Sequence, residues 1–180
     1  MLIVCRCIGL FLLQERGLLK CQSRMQALSR WRGPTSEEST ALLQQSDLYH
    51  LRDCMFSRHN VPLLCAFVER WQPDTNTFHM PFGEMTITLH DIFYILRIPV
   101  DGMPVSTSAS RSDMVAICAA IMSLSPAEVD TMWMSGGCRL EDIVQRCVDG
   151  SGAPPAPAAR GYLMYLLGCT LFVDKTKSRV

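Results

Sequence analysis

The sequence from Trp71 to Pro104, WQPDTNTFHMPFGEMTITLHDIFYILRIPVDGMP, contains the signals that decide the fold. Residues 77–80 and 84–88 are two β-rich runs in which apolar and polar side chains alternate, and Pro81-Phe82-Gly83 interrupts them. Two such runs joined by a short segment with Pro and Gly are typical of a β-hairpin. The stretch therefore predicts an antiparallel hairpin at about residues 76–88.

The alternation also predicts which side chains of the hairpin face the core. In a strand, successive side chains point to opposite faces, so Phe78 and Met80 share one face. By the same argument, Met85 and Ile87 are expected to point inward. Trp71, just before the hairpin, is expected to pack against it.

A helix is predicted directly after the hairpin. Thr88 and Asp91 have the spacing of a capping box, which makes Thr88 the expected N-cap residue. Pro99 prevents the helix from continuing, because it lacks a backbone N–H and its ring clashes with the preceding turn. Apolar residues recur at helical spacing between these two signals, at Leu89, Ile92, Phe93 and Leu96.

The remainder of the chain is mostly helical by pattern. Further helices are predicted at 40–47, 63–70, 113–124, 139–148 and 161–172. Ser125, followed by Pro126 and by Glu128 three positions on, predicts another helix start. The fold class is therefore mainly α (α+β), a helical domain with a central hairpin.

The sequence also predicts which side chains of one helix face the core, and where two connecting segments lie. In the helix at 113–124, the side chains expected to face inward are Val115, Ile117, Cys118 and Ile121. The Pro- and Gly-rich residues 149–159 are expected to form a flexible loop, and residues 33–39 a linker.

Composition limits the functional classes. The chain has 180 residues, which is typical of one domain, and 17 basic residues balance 17 acidic ones. Non-specific nucleic-acid binding depends on an excess of Lys and Arg, so this balance argues against it. The nine cysteines include no CxxC pair, and an odd number in apolar segments predicts reduced, mostly buried thiols.

Four segments resemble the plant mobile domain, also called the aminotransferase-like plant mobile domain. They are AFVERWQPDTNTFHMP at 66–81, GEMTITLHDIFYIL at 83–96, IPVDG at 98–102 and ARGYLMYLLGCTLFVDK at 159–175. Together they place a plant mobile domain at residues 47–180. In the family this domain normally extends beyond the point that corresponds to residue 180, so the chain resembles a truncated member. Residues 1–46, an apolar and basic arm followed by a linker, lie outside the resemblance.

The resemblance implies a function that the residues alone do not. It implies a nuclear plant protein related to transposable elements, acting in transposon silencing, genome maintenance or meristem development. Some members of the family carry the name of a serine/threonine phosphatase, because the domain can be fused to one. The family usually has Gly where this chain has Arg97, so the resemblance implies a strained or differently shaped helix end there.

Catalytic and metal sites are not expected. Pyridoxal phosphate chemistry needs a lysine for the Schiff base, and the lysines are only Lys20, Lys175 and Lys177. Cys54, His59 and Cys65 lack the closely spaced pairs of structural zinc sites. No cofactor, no metal and no membrane association are therefore predicted, and the protein is expected not to be an enzyme. A nuclease or transferase is the less favoured alternative.

A protein partner is expected, and the densest polar and aromatic cluster is its candidate surface: Glu69, Arg70, Trp71, His79 and Glu84. A purely structural interpretation pairs Arg70 with Glu69 or Glu84 and leaves His79 on the solvated strand face. Two alternatives stay open beside protein interaction. They are a nucleic-acid-binding protein derived from a transposon and a transposon-derived remnant without a present role.

Overall fold

The structure is a computed structural model that describes residues 31–53, 60–102, 109–134, 137–147 and 152–172. These residues fall into two compact units. The described part of the first unit is residues 60–102. The second unit contains the other described residues.

The helices and strands are mostly short. In chain order, the elements up to residue 96 are α1 (Glu37–Gln45), a 3₁₀ helix (Tyr49–Asp53), α2 (Val61–Glu69), β1 (Trp71–Gln72), β2 (Thr77–Met80), β3 (Gly83–Met85) and α3 (Leu89–Leu96). The elements after residue 110 are α4 (Arg111–Met122), α5 (Pro126–Met132), β4 (Trp133–Met134), β5 (Gly137–Cys138), α6 (Leu140–Cys147) and α7 (Pro155–Thr170). The predicted fold class, mainly α with a central antiparallel hairpin, is confirmed.

The first unit contains a three-stranded antiparallel sheet in the order β1-β2-β3. Phe78 of β2 lies opposite Trp71 on one side and Met85 on the other. The predicted hairpin is therefore present, and β1 extends it by a third strand that the sequence pattern did not reveal. Asn76 and Gly83, both at positive φ, lie where the chain turns into β2 and β3; Asn and Gly tolerate this conformation best.

The core of the first unit is small. Trp71 and Phe78 are its buried apolar side chains among the described residues. Their rings meet edge to face with 4.9 Å between centroids, and Phe67 of α2 adds a second such contact to Phe78 at 5.4 Å. The predicted packing of Trp71 against the hairpin is confirmed. Met85 lies opposite Phe78 and so shares its face of the sheet, as predicted. Neither Met85 nor Ile87 is buried, however, because both side chains are exposed.

Helix α3 begins as its sequence predicts. The Thr88 hydroxyl accepts a hydrogen bond from the Asp91 N–H, and the Asp91 carboxylate accepts one from the Thr88 N–H, so the capping box is complete. The helix ends at Arg97, which has φ 53° and ψ 33° and donates its N–H to the Phe93 carbonyl. The expected strain is therefore present, because Arg97 carries a Cβ atom and has a left-handed backbone conformation.

Replacing Arg97 by glycine is expected to stabilise the protein. The left-handed conformation costs a residue with a Cβ roughly 1–2 kcal/mol, and the greater freedom of glycine in the unfolded chain offsets part of that gain. A net increase of about 0.5–1 kcal/mol in the free energy of unfolding is expected for Arg97→Gly, measured by urea denaturation. Arg97→Ala is the control, since it keeps the Cβ. An equal gain in Arg97→Ala would show that backbone strain is not the cause.

Helix α7 is the centre of the second unit. It packs against α1, the 3₁₀ helix, α4 and α6. Tyr162 and Leu166 on α7 are fully buried, as are Leu43 on α1 and Ile143 on α6. This helix is apolar nearly all round in sequence, and its central place explains why.

The start of α7 differs from the sequence prediction. Residues 149–159 were expected to form a flexible loop, but the helix begins at Pro155. Proline is well tolerated in the first turn of a helix, where its missing N–H has no intrahelical acceptor. Ala158, Ala159 and Gly161 are buried in this first part of α7, so small side chains let its neighbours approach closely.

Residues 31–45 are part of the second unit. The helix α1 begins at Glu37, inside the stretch predicted as a linker, with Ser36 as its N-cap residue. The buried Ser39 hydroxyl donates to the Pro155 carbonyl at 3.2 Å, and the Trp31 ring lies edge-on to Tyr162 with 5.2 Å between centroids. The limit of the family resemblance drawn at residue 47 stays a prediction, and the packing extends beyond it towards the N-terminus.

The helices α4 and α5 also have capping boxes, at Ser110 with Asp113 and at Ser125 with Glu128. The second was predicted and is confirmed. Two ion pairs join neighbouring elements of this region: Arg111 with Asp130 at 2.8 Å and Arg146 with Glu128 at 3.1 Å. Of the inward side chains predicted on α4, Val115 and Cys118 are buried. Ile117 is not, because it lies on the exposed side of the helix.

No single helix among those the structure describes is long and apolar enough to cross a membrane. Within the described ranges, one pair of helices, α4 with α5, meets that length and composition together, across a bend of 109°.

Candidate functional site

Trp71 differs from the other four residues of the predicted surface, because it is buried. Its side chain is 5% exposed and packs on Phe78, while Phe78 in turn contacts Phe67. Trp71 therefore supports the hairpin from inside, and a partner would contact the four exposed residues of the predicted surface.

His79 and Glu84 are brought together by the register of the sheet. They are directly opposite each other on β2 and β3, and Nδ1 of His79 lies 3.7 Å from Oε1 of Glu84. The Thr77 hydroxyl donates to Oε2 of the same glutamate at 3.2 Å. The side chains of His79 and Glu84 are 75% and 47% exposed, so the predicted position of His79 on the solvated strand face is confirmed. This cross-strand pair is ordered by the fold and accessible from outside.

Arg70 ends helix α2 and connects it to the sheet. Its carbonyl accepts a hydrogen bond of 2.7 Å from the His79 N–H, so the backbone joins β2 to the helix end. Its guanidinium donates to the Ala66 carbonyl at 3.1 Å. The expected pairing of Arg70 with Glu69 or Glu84 is wrong: Glu84 lies beside His79 and accepts a hydrogen bond from the Thr77 hydroxyl. The ion pairs within the described ranges do not include Glu69 or Arg70.

Sequence reasoning missed the main surface feature of the first unit, which is a set of exposed apolar side chains. Helices α2 and α3 and strand β3 bury no residue at all. We call the large side chains concerned the exposed apolar set: Leu63, Leu64, Phe67, Phe82, Met85, Ile87, Leu89, Phe93, Tyr94 and Ile95. The signal that could have revealed part of it is the apolar type of Phe82 in the hairpin turn and of Tyr94 and Ile95 beside the α3 stripe.

Comparison with known families fits this unit and most of the second. Residues 47–180 match the family model described as Plant mobile domain. The chain belongs to the plant mobile domain family. The resemblance carried by the hairpin, the helix after it and the last apolar helix is thereby confirmed.

Several plant mobile domain proteins of Arabidopsis thaliana are similar to the chain. It is 33% identical over 175 residues to Protein MAINTENANCE OF MERISTEMS, covering 93% of this chain and 35% of that protein. It is 34% identical over 172 residues to Protein MAIN-LIKE 2, covering 93% of this chain and 25% of that protein. It is 26% identical over 174 residues to a serine/threonine-protein phosphatase 7 long form homolog, covering 90% and 12%. The chain thus spans about a third or less of these relatives, and no solved structure matches it.

Metal and cofactor sites depend on ligating side chains that lie close together in the fold. Within the ranges that the structure describes, no three His, Cys, Asp or Glu side chains converge as a metal site. Cys54 and His59 lie outside the described residues, as do Lys20, Lys175 and Lys177. The sequence predictions that rest on these five residues stay predictions.

Two capping carboxylates have shifted pKa values. The pKa of Asp91 is lowered because its carboxylate accepts hydrogen bonds from the Thr88 hydroxyl and N–H, each at 2.7 Å. The pKa of Glu128 is lowered in the same way by the N–H and hydroxyl of Ser125, and the nearby Arg146 adds to the effect. Both hydrogen-bonded carboxylates belong to the starts of helices, so they serve local stability.

Acid is therefore expected to destabilise the protein partly through these two groups. A carboxylate whose pKa is lowered by folding contributes stability above its ordinary pKa and loses it as the pH falls through the lowered value. The double variant Asp91→Asn, Glu128→Gln is expected to lose less stability than the original chain between about pH 5 and pH 3. Urea denaturation at a series of pH values measures this. Equal slopes in the two proteins would contradict the assignment.

Proposed function

We propose that this chain is a non-enzymatic protein-interaction module of the plant mobile domain family that acts in the nucleus. The process proposed is transposon silencing, genome maintenance or meristem development. Family membership and the similarity to Protein MAINTENANCE OF MERISTEMS support the context. The observation that carries the interaction role is the exposed apolar set of the first unit.

Exposed apolar side chains favour a protein partner on physical grounds. Removing apolar surface from water stabilises an association by roughly 25 cal/mol per Å². Within the exposed apolar set, Phe82 is 81%, Tyr94 76% and Ile95 70% exposed, so these three side chains have much apolar area still to bury. Protein interfaces combine such a core with a polar rim. His79 and Glu84 supply polar groups on the same small sheet, which suits them to select the partner.

The charge of the chain favours protein over nucleic acid as the partner. Nucleic-acid binding gains most of its free energy from Lys and Arg side chains that neutralise phosphates. The formal net charge here is zero, and Arg111 and Arg146 are already paired with carboxylates. The proposal that the chain is not an enzyme rests on the sequence, where no nucleophile carries a recognisable catalytic signature.

The test uses two exposed isoleucines as a matched pair. Ile95 belongs to the exposed apolar set, whereas Ile117 lies on α4 of the second unit and is also exposed, at 49%. Three tagged proteins are compared: the original chain, the double variant Phe82→Ser Ile95→Ser, and the single variant Ile117→Ser. Each is used to recover proteins from plant nuclear extract, with and without nuclease. We expect a protein that stays bound to the original chain and to Ile117→Ser after nuclease treatment. The double variant Phe82→Ser Ile95→Ser is expected not to retain it.

Three other outcomes would contradict the proposal. Equal recovery by all three proteins would mean that the exposed apolar set is not the binding surface. Recovery that disappears with nuclease would indicate nucleic acid as the partner. Recovery of chaperones alone would indicate a remnant without a present role. Circular dichroism of both variants confirms that they are folded before the comparison is made.

Nuclear localisation needs a separate test. A fluorescent fusion of the chain expressed in plant cells is expected to accumulate in nuclei above the level of the fluorescent protein alone. Exclusion of the fusion from nuclei would contradict this part of the proposal and leave the interaction role untouched.

A further inference from the structure

Helices α2 and α3 of the first unit are well capped, yet their apolar faces are uncovered. The Asn60 side chain accepts a hydrogen bond from the Leu63 N–H at 3.1 Å, and the capping box of Thr88 and Asp91 fixes the start of α3. Neither helix buries a residue, although both are rich in apolar residues. An amphipathic helix is stabilised in a fold when another element covers its apolar face. Among the described residues, the first unit lacks such a covering element.

The chain contains an apolar segment that could provide this cover. We call residues 1–30, which precede the first described residue, the arm. Its first thirteen residues, MLIVCRCIGLFLL, are apolar except at Arg6 and Gly9, and we call them the apolar run. Apolar side chains are stabilised when they leave water, so the apolar run and the exposed apolar set complement each other.

Charge favours the arm over a second copy of the first unit as the occupant. The arm has five basic residues and one acidic residue, a formal charge of +4. Residues 60–102 have two basic and five acidic residues, a formal charge of −3 with His counted as neutral. The five acidic residues are all exposed: Glu69, Asp74, Glu84, Asp91 and Asp101. Opposite charges favour association and like charges oppose it, so this unit attracts the arm and repels its own copy.

Covalent attachment also favours the arm over a separate molecule. Residues 14–30 connect the apolar run to Trp31, the first described residue. A segment tethered by a linker of suitable length meets a site on its own chain at an effective concentration on the order of millimolar. A contact too weak to hold a free peptide is therefore populated within one chain.

We propose that the apolar run docks on the exposed apolar set of the same chain. The basic residues that follow the run then lie against the exposed carboxylates of the first unit. The docking requires only the arm and the set. A consequence that rests on the proposed function is competition, because the arm occupies the side chains that the protein partner needs.

A photoreactive amino acid in the arm tests the docking directly. Benzoylphenylalanine is incorporated in place of Leu12 in the full chain, and ultraviolet light crosslinks it to the side chains beside it. Trypsin then separates the candidate sites, because the peptides 59–70 and 71–97 together contain the whole exposed apolar set. The expected product is a crosslinked monomer in which the arm peptide is joined to one of these two peptides.

Two variants show whether the apolar side chains hold the arm. In Phe82→Ser Ile95→Ser the crosslink yield is expected to fall at least about threefold, because the docked run loses two large apolar contacts. In Ile117→Ser, which changes an exposed isoleucine of the second unit, the yield is expected to stay the same. Equal yields in all three proteins would overturn the proposal, as would the absence of a crosslink to either peptide.

Other occupants give different products. A crosslinked dimer whose share rises with protein concentration would assign the arm to a second copy and overturn the proposal. A crosslink that disappears when vesicles of anionic lipid are added would assign the arm to a membrane surface, with the same consequence. The expected monomeric crosslink is independent of protein concentration and persists with vesicles present.

Competition with the partner is measured on a variant of the arm. Phe11→Ser Leu12→Ser leaves the exposed apolar set unchanged, and in recovery from plant nuclear extract it should retain at least about threefold more partner than the original chain. Equal recovery would contradict the competition. A crosslink without any recovered partner would contradict the interaction role and support the docking. A recovered partner without a crosslink would contradict the docking and support the interaction role.

Discussion

Replacing Gly161 by valine is expected to lower the free energy of unfolding by about 3 kcal/mol, the upper end of the usual range for overpacking. Gly161 lies in α7 where this helix crosses α6. A Cβ atom added there would overlap Sγ of Cys147 and lie 2.9 Å from its Cβ. Side-chain rotation cannot relieve the second contact, because the Cβ atom is fixed to the backbone. The two helices would therefore have to separate.

Urea denaturation measures this effect, and the chain offers two controls. Ala116→Val on α4 adds a valine at an exposed helical position of the same unit, and its expected cost is only the helix-propensity difference, about 0.5 kcal/mol. Cys147→Ala removes the sulfur, so the double variant Gly161→Val Cys147→Ala should lose less stability than the two single changes summed. Strict additivity would show that Cys147 is not the obstacle.

Replacing Trp71 by alanine is expected to unfold the first unit or to cost it about 3–5 kcal/mol, the range for removing a buried large aromatic side chain. Trp71 and Phe78 are the buried apolar side chains of that unit's described residues, and their edge-to-face contact spans β1 and β2. Without the indole, Phe78 loses the aromatic ring that packs on it from the opposite position of β1. Amide hydrogen exchange of residues 77–85 should become much faster in this variant.

His79→Ala is the matched control for Trp71. His79 lies next to Phe78 in the same strand, but its side chain is exposed, so its removal should change stability by no more than about 0.5 kcal/mol. If both variants fail to bind a partner, the failure of Trp71→Ala can result from unfolding of the first unit. The failure of His79→Ala would instead indicate that His79 contacts the partner. Unchanged hydrogen exchange in Trp71→Ala would contradict the structural role given to the tryptophan.

Local signals in the sequence predicted the parts of the fold that depend on a few neighbouring residues. The capping boxes at Thr88 and Ser125 were predicted because each is formed within four consecutive residues. The hairpin was predicted because alternation and a turn specify it locally. The left-handed end of α3 at Arg97 was anticipated from the family resemblance, not from spacing.

Features that depend on distant contacts were missed for a physical reason. An alternating pattern shows that Met85 and Ile87 share a face, but it cannot show whether other elements cover that face, and here both are exposed. The start of α7 at Pro155 escaped prediction because proline-rich composition is equally typical of a loop and of a first helical turn.

The candidate sites show the same division. Within the predicted surface, the contact between His79 and Glu84 follows from the register of the hairpin, whose two strands the sequence did predict. The exposed apolar set depends on which faces other elements of the first unit cover, and no local pattern shows that. It therefore needed the structure.

The packing of residues 31–45 on α7 has a consequence for where fragments of this protein can be cut. The family model starts at residue 47, but Trp31 and Leu43 are buried, and a Cβ atom added at Gly33 would lie 3.2 Å from the ring of Tyr162. A recombinant fragment cut at the family limit would uncover the rings of Tyr162 and Tyr165, on which Trp31 packs, to water. The border of the family model and the border of cooperative folding thus differ here, and expression of the domain should follow the second.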